Sequence, residues 1–423
     1  MESSKLNGSR PPASTGRVDV AIAGGGFVGL TLALALAKLA PDGFRIAVID
    51  GKPFEEAGKG DARASALSAA SRNLLQVLEI WPAIAPYAEP ITAIDITDSP
   101  LQESGPRPLF VGFDNELKDG EPGAYVVQNG PLLTALAKAA AAEPNIELIA
   151  PDTVSGFEAE SYGIDIQLES GRHLRAALLV AADGRRSALR EAAGIKIIGW
   201  TYPQTGIVTT VSHSVPHGGK AVQHFLPAGP FALLPLPENR TSIVWTEEAD
   251  EADRIMALDD AGFLKELERR FGAQLGQLSL AGPRQSFPLS LHVARSFIGP
   301  RFALVGDAAH GVHPLAGQGL NIGLRDVAAL TEILVEGARL GLEPGDQVLL
   351  QRYERWRRFD SAVSALAMDL VNRLFSNENA TMRTMRDMGL SVLDRLAPVK
   401  RMLVREASGK TGAVPQLLKG KRP

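Results

Sequence analysis

The chain has 423 residues, more than one hydrophobic core usually fills, so two or more domains are expected. Apolar residues make up 45% and charged residues 22%, the balance of a globular protein, and a net charge of -4 argues against nucleic acid as a partner. No cysteine occurs, which excludes disulfide scaffolds, thiolate nucleophiles, iron–sulfur clusters and cysteine zinc sites together and fits a reducing compartment such as the cytoplasm.

The opening MESSKLNGSRPPASTG (1–16) is polar and rich in Pro, Gly and Ser, without the apolar stretch of a signal peptide, and reads as a disordered leader. From Val18 to Ala37 the single charge is Asp19, which suggests a membrane span, yet a triple glycine interrupts the run and divides strand from helix. VDVAIAG predicts a strand, GGGFVG a tight loop, LTLALALAKLA a helix and FRIAVID a second strand ending at Asp50. Gly24, Gly26 and Gly29 thus take the G-x-G-x-x-G spacing of a β-α-β nucleotide fold: the first for the turn, the second for backbone approach to a pyrophosphate, the third for helix–strand packing. The helix N-terminus offers free N–H groups and partial positive charge to phosphate. Asp50, twenty-one residues past Gly29, stands where an acceptor meets a ribose hydroxyl. An ordinary glycine turn has the same three glycines; the flanking strand, helix and acid favour the nucleotide.

In the middle of the chain TGIVTTVSH, AVQHFLP, FALLPLP and TSIVWTE are short strands divided by PAG and PEN turns, the pattern of an antiparallel sheet. His224, Phe225, Leu234 and Pro235 are candidates to face a substrate cavity, with burial in a core as the alternative. Next, RFALVGD predicts a strand whose Asp307 leaves the sheet where ligands gather. The stretch HPLAGQGLNIGLRD then opens a helix running to about Leu340, and Gly317 and Gly319 free N–H groups at its start. Such a terminus stabilises negative charge like that on the pyrimidine side of a reduced flavin; a glycine-rich helix cap is the other reading. His310 and His313 invite a metal or a base, but no carboxylate clusters beside them, so shaping the pocket is the simpler role and no metal is expected. Arg63 and Arg185 read equally as surface charges, and Asp183 and Asp307 as helix caps. From about Glu343 the pattern is helical. VSALAMDLVNRLF (363–375) has an apolar stripe that suits a core or a bilayer surface, and from Lys400 onward seven Lys/Arg face one acid, Glu406, which suits anionic lipid or a solvated tail.

GDAAH followed by HPLAGQGLNIGLRD, together with DARASALSAAS (61–71), YVVQNGPLLTAL (125–136), AADGRRSALR (181–190), QHFLPAGPFALLPLP (223–237), RYERWRRFDSA and AVPQLLKG, resembles the FAD-dependent aromatic hydroxylases of ubiquinone biosynthesis from about Val18 to the C-terminus. The resemblance implies an α/β fold, α+β overall, with a Rossmann-like FAD-binding domain of the p-hydroxybenzoate hydroxylase type, an interleaved antiparallel-sheet substrate domain and a helical C-terminal region. The expected boundaries are 1–16 for the leader, 17–90, 120–190 and 285–345 for the FAD domain, 91–119 and 191–284 for the substrate domain, and 346–423 for the remainder. It implies that Gly24, Gly26, Gly29 and Asp50 bind the ADP half of FAD, and that Arg63 and Gln128 touch the pyrophosphate or ribityl region. Asp183 serves FAD and the nicotinamide donor, Asp307 holds the ribityl chain, and Pro314, Gly317, Gly319, Leu320 and Asn321 line the flavin ring through backbone. The acid after the second strand is often Glu in related flavoproteins, so Asp50 is one methylene short.

The implied activity is hydroxylation of a polyprenyl phenol with NAD(P)H and dioxygen through a flavin hydroperoxide, in an enclosed pocket. No base is assured; His224, His310, His313 and Pro314 are the candidates for a catalytic role. Implied partners are the polyprenyl substrate, a membrane surface touched peripherally, a ubiquinone-biosynthesis complex and a second copy of the chain. An FAD monooxygenase or reductase for another aromatic or isoprenoid substrate is the alternative within enzymes, and a non-catalytic prenyl-binding protein of related fold the alternative outside them.

Overall fold

The computed structural model describes residues 16–61, 63–98, 111–117, 120–272, 274–311, 318–358, 408–409 and 413–423. Residues 1–15 of the expected leader, His313, Pro314, Gly317 and the 363–375 stripe lie outside the described residues.

Val18–Ala23 (β1), Phe27–Leu39 (α1) and Ile46–Ile49 (β2) form the first β-α-β unit. Ala64–Ser68 (β3) runs into Ala69–Val77 (α2), whose N-cap Ser68 accepts from the Ser71 N–H; Trp81–Ile84 (α3), Ala88–Ile91 (β4), Ala93–Asp98 (β5) and Val111–Asp114 (β6) follow. Ala124–Gln128 (β7) passes directly into Asn129–Ala142 (α4), then come Ile146–Ile149 (β8), Val154–Glu160 (β9), Gly163–Leu168 (β10), His173–Ala181 (β11) and Ala188–Ala192 (α5). The long strand Ile197–His213 (β12) leads to Lys220–Leu226 (β13), Gly229–Leu236 (β14), Arg240–Glu248 (β15), helices Ala249–Met256 (α6) and Asp260–Phe271 (α7), Leu278–Leu280 (β16) and Gln285–Ala294 (β17). Ile298–Gly299 (β18), Phe302–Leu304 (β19), His310–Gly311 (β20) and Gln318–Arg339 (α8) complete the labelled elements, and residues 347–358 are helical.

Among the described residues these strands make three sheets. The first has order β18-β19-β11-β1-β2-β8, with β10 beside β11 and β9 beside β10; β19, β11, β1, β2 and β8 run parallel. Both faces of such a sheet are covered, which explains the unbroken apolar runs of β1 and β2. Helix α1 packs on α4 and α8. Leu30, Leu32, Ala33, Leu34, Ala35 and Leu36 are all fully buried, so the absence of charge before Lys38 reflects burial on every side and not lipid. No helix among the described residues is long and apolar enough to cross a membrane.

The second sheet has order β20-β17-β12-β15-β14-β13-β5-β6, with β16 beside β12. Helices α6 and α7 cover one of its faces, where Phe231, Leu233, Ile243 and Trp245 meet Ala252, Ile255, Phe263 and Leu267. On the other face Ala221, Leu234 and Leu236 meet Ala66 and Val126 of the third sheet, β3-β7-β4. One boundary differs from expectation: β17, placed by sequence with the nucleotide segments, pairs with β12 over most of its length. Its alternation is that of a half-covered antiparallel strand, and the first sheet resumes only at β18.

Candidate functional site

The turn between β1 and α1 is built from three glycines, and a fourth, Gly29, lies in the first turn of α1, each in different surroundings. Gly24 has φ +115, and a Cβ there would overlap the Ala182 carbonyl. A Cβ on Gly29 would overlap the carbonyl oxygen of Gly24, and one on Gly25 the ring of Phe54. At Gly26 the same construction meets nothing within 4 Å. Gly26 is also the N-cap of α1, which has no side-chain cap and no acid in its first turn. The helix therefore presents bare N–H groups and its positive end to open space. At the end of β2, Asp50 Oδ2 accepts the Gly25 N–H at 2.6 Å and Oδ1 the Lys52 N–H at 2.8 Å. A cleft of about 440 Å³ runs between these groups, lined among others by Gly26, Asp50, Lys52, Arg63, Gln285 and Phe287.

Arg63 stands at the entry to β3, its guanidinium bonded to Asp61 through Nε at 2.8 Å and Nη2 at 2.7 Å and lying over the Phe287 ring at 5.6 Å. The bond to Asp61 raises the Arg63 pKa. Burial pushes the Asp61 carboxyl up, but the bonds and charge of Arg63 outweigh it and leave that carboxyl below its ordinary value. Gln128, half-buried, ends β7 opposite Ala64 and one residue before Asn129, whose N–H donates to the Arg63 carbonyl at 2.9 Å. The sheet thus brings Gln128 and Arg63 to one edge.

The second cluster forms where β19 ends. Gly306–Ala308 is a single tight turn in which Asp307 is exposed while Gly306 and Ala308 are buried. Asp183 is exposed beside Gly24, and its Oδ2 accepts the Leu189 N–H at 3.3 Å. Gly319 and Leu320 are half-buried in the first turn of α8. Asn321 is committed by its side chain: Oδ1 accepts from Ser68 N at 2.8 Å and Ser71 Oγ at 2.7 Å, and Nδ2 donates to the Ala66 carbonyl at 2.7 Å. It therefore pins the start of α8 to β3 and α2, leaving only backbone for any ligand.

The structure gives the histidine candidates His224 and His310 partners within the protein. His224 is buried with Nδ1 against Thr97 Oγ1 and its ring stacked on Phe231, on the sheet face that α6 and α7 cover; strand alternation puts Phe225 and Leu234 on the opposite face, where Leu234 meets the third sheet. Pro235, like His224, has the opposite parity to those two. His310 Nε2 bonds Asp326 Oδ2 at 2.6 Å, both groups buried. Asp326 also accepts the Gly306 N–H at 2.9 Å and Arg357 Nε at 2.8 Å. Burial pushes its carboxyl up, and the His310 and Arg357 charges and bonds bring it below its ordinary value. His310 so anchors the Asp307 turn through Asp326. Among the described residues no group of three potential metal ligands occurs.

Gly25, Lys52, Gln285, Phe287 and Asp326 are site or support residues that motif spacing missed. Phe287, 40% exposed in a strand, shows as an apolar residue out of place only once β17 is laid on the cleft. An uncapped helix N-terminus, an acceptor at the end of β2, a cation in the same cleft and an exposed carboxylate beyond β19 are the donor and acceptor set a dinucleotide such as FAD requires.

The family model described as an FAD binding domain matches residues 17–366. The chain is 44% identical to Ubiquinone hydroxylase UbiL of Rhodospirillum rubrum, over 97% of this chain and 96% of that one. It is 35% identical to 3-demethoxyubiquinol 3-hydroxylase of Escherichia coli, over 92% and 98%, and 30% identical to the mitochondrial ubiquinone biosynthesis monooxygenase COQ6 of Drosophila melanogaster, over 95% and 92%. Among solved structures, p-nitrophenol 4-monooxygenase PnpA from Pseudomonas putida superposes with a TM-score of 0.76 at 20% identity, covering 94% of this chain and 99% of that one, a likeness of fold.

Proposed function

The chain belongs to the FAD-binding-domain family that includes the ubiquinone-biosynthesis hydroxylases, and from that premise we propose that it hydroxylates the aromatic ring of a polyprenyl phenol, with FAD as cofactor and NAD(P)H and dioxygen as co-substrates. The observation that carries this reading is the end-to-end likeness to a ubiquinone hydroxylase, 44% over 97% of the chain. When bound, the flavin supplies hydride acceptance and oxygen activation.

The protein's own residues then have the following parts. The bare N–H groups of α1 at Gly26 take the pyrophosphate, and Gly24 and Gly29 keep the backbone close enough for that contact. Asp50 accepts from a ribose hydroxyl while its bonds to Gly25 and Lys52 hold the loop. Arg63, oriented by Asp61, faces the pyrophosphate or ribityl region with Gln128 beside it; Asp183 adjoins the first turn, and Asp307 reaches the ribityl chain. The start of α8 at Gly319, Leu320 and Asn321, with Pro314 and Gly317 before it, receives the ring. The sheet β12–β15 roofs the site and keeps water from it.

Peripheral contact with a membrane belongs to the same proposal, supported by the lipid-soluble tail of such a substrate and by the 363–375 stripe and the basic residues from Lys400. So do membership of a biosynthetic assembly and self-association.

The test is direct. The FAD-loaded protein is given NAD(P)H, ¹⁸O₂ and a short-chain polyprenyl phenol, and one labelled oxygen is expected on the ring by mass spectrometry. NAD(P)H oxidation that yields only hydrogen peroxide with every phenol offered would defeat the reading.

A further inference from the structure

Buried polar atoms in folded proteins almost always have a partner, and one left without it costs stability that something must justify. Among the described residues of the second sheet, Gln223 Nε2 and Ser242 Oγ are buried atoms without a partner. Gln223 lies in β13 opposite Ala232 of β14; Ser242 lies in β15 opposite Leu234. Alternation puts both on the face shared by Ala221, Phe225, Leu234 and Val244. Ala221, Leu234 and Val244 belong to the cluster that meets Ala66 of β3. The Ala66 carbonyl is bonded by Asn321 at the start of α8, and Arg63 precedes Ala66 by three residues. The opposite face, with Val222 and Leu226, is closed by α6 and α7. Gln223 is therefore an amide set in an apolar wall that looks toward the cofactor elements.

We propose that Gln223 orients the aromatic substrate, its amide N–H donating to the phenolic oxygen. An apolar wall accepts the ring on hydrophobic grounds but gives no preference among its rotations; a single buried donor does, because only one rotation satisfies it. Ser242 shows that the same wall offers a second polar point on the far side of Ala232. The inference rests on the hydroxylase reading and names the part of the site that reads the phenol.

The experiment uses the FAD-loaded protein and its Gln223→Met and Gln223→Asn variants. Two probes are titrated and followed by the change in flavin absorbance: a phenol with a short prenyl chain, and the same prenylated ring lacking the hydroxyl. In Gln223→Met, which keeps the length but not the donor, phenol binding is expected to weaken about 10- to 100-fold. Binding of the hydroxyl-free ring and of FAD is expected to stay within about twofold, and Gln223→Asn to recover part of the loss. If Gln223→Met fails to take up FAD, Gln223→Leu, which also lacks the donor, carries the same comparison. Equal losses for both probes, or none for the phenol, overturn the inference while a wild type that still hydroxylates keeps the functional reading. A wild type that binds neither probe overturns both.

Discussion

Gly26 and Gly29 are three positions apart and serve opposite needs. Around Gly29 there is no room, because a Cβ would overlap the Gly24 carbonyl; around Gly26 there is nothing but the cleft. Gly29→Ala is therefore expected to lower stability by about 1–3 kcal/mol through overpacking, read by urea unfolding of the apoprotein. Gly26→Val is expected to unfold like the wild type, since its φ of -78 suits any side chain, yet to bind FAD far more weakly in a titration. A valine variant with wild-type FAD affinity would remove the cleft from the account. The first and third glycines were legible because their spacing states a geometric demand. Gly25 was not, since the motif is silent there and its reason is the Phe54 ring, twenty-nine residues away. The surroundings of the histidines were illegible for a related cause: chemical type suggests a base, whereas strand parity puts His224 on a helix-covered face and Asp326, sixteen residues on, bonds His310.

At the scale of elements, α8 is the piece that joins the site together. Asn321 fixes its first turn to β3 and α2, and Asp326, five residues further along the helix, holds Gly306, His310 and Arg357 of the 347–358 helix. The buried Tyr353 hydroxyl donates to the Leu304 carbonyl at 2.7 Å, and its pKa is raised well above 10.0 by burial and then by the Asp326 charge. Asp326 has a folded pKa below the ordinary 3.8, so its stabilisation is present above that value and is lost as the pH falls through the lower folded one. Asp326→Asn is expected to cost about 3–5 kcal/mol near neutral pH, because Arg357 loses its buried counter-charge. The gap from wild type should close as denaturation is repeated below pH 3.8, and a gap independent of pH would mean that the carboxylate charge is not what binds these elements.

Over the whole molecule, two features tie distant parts of the chain to the nucleotide fold. Strand β17 belongs to the second sheet yet supplies Gln285 and Phe287 to the cleft, and through β20 it pairs with the residues just past the Asp307 turn. The C-terminal turn Gln416–Lys419 folds back on α2 and α8, with Leu417 and Leu418 fully buried and the Gln416 N–H donating to Glu332 at 2.6 Å. Removal of residues 413–423 is expected to lower stability by roughly 3–6 kcal/mol from those two leucines, seen as a fall in Tm of the apoprotein. An unchanged Tm would show the tail to be a bystander.

The sequence by itself determined the β1-α1-β2 unit, the glycine-opened α8 and the antiparallel run β13–β15, because each depends on neighbours in the chain: periodicity, turn residues and spacing. Tertiary structure alone decided that β17 reaches the cleft beside Asp50, that His310 is anchored by Asp326, and which face of β13 meets the third sheet. Those outcomes turn on contacts between residues far apart in the chain and on the absolute parity of a strand in its sheet, and local pattern, unchanged when a strand is turned over, does not carry that information.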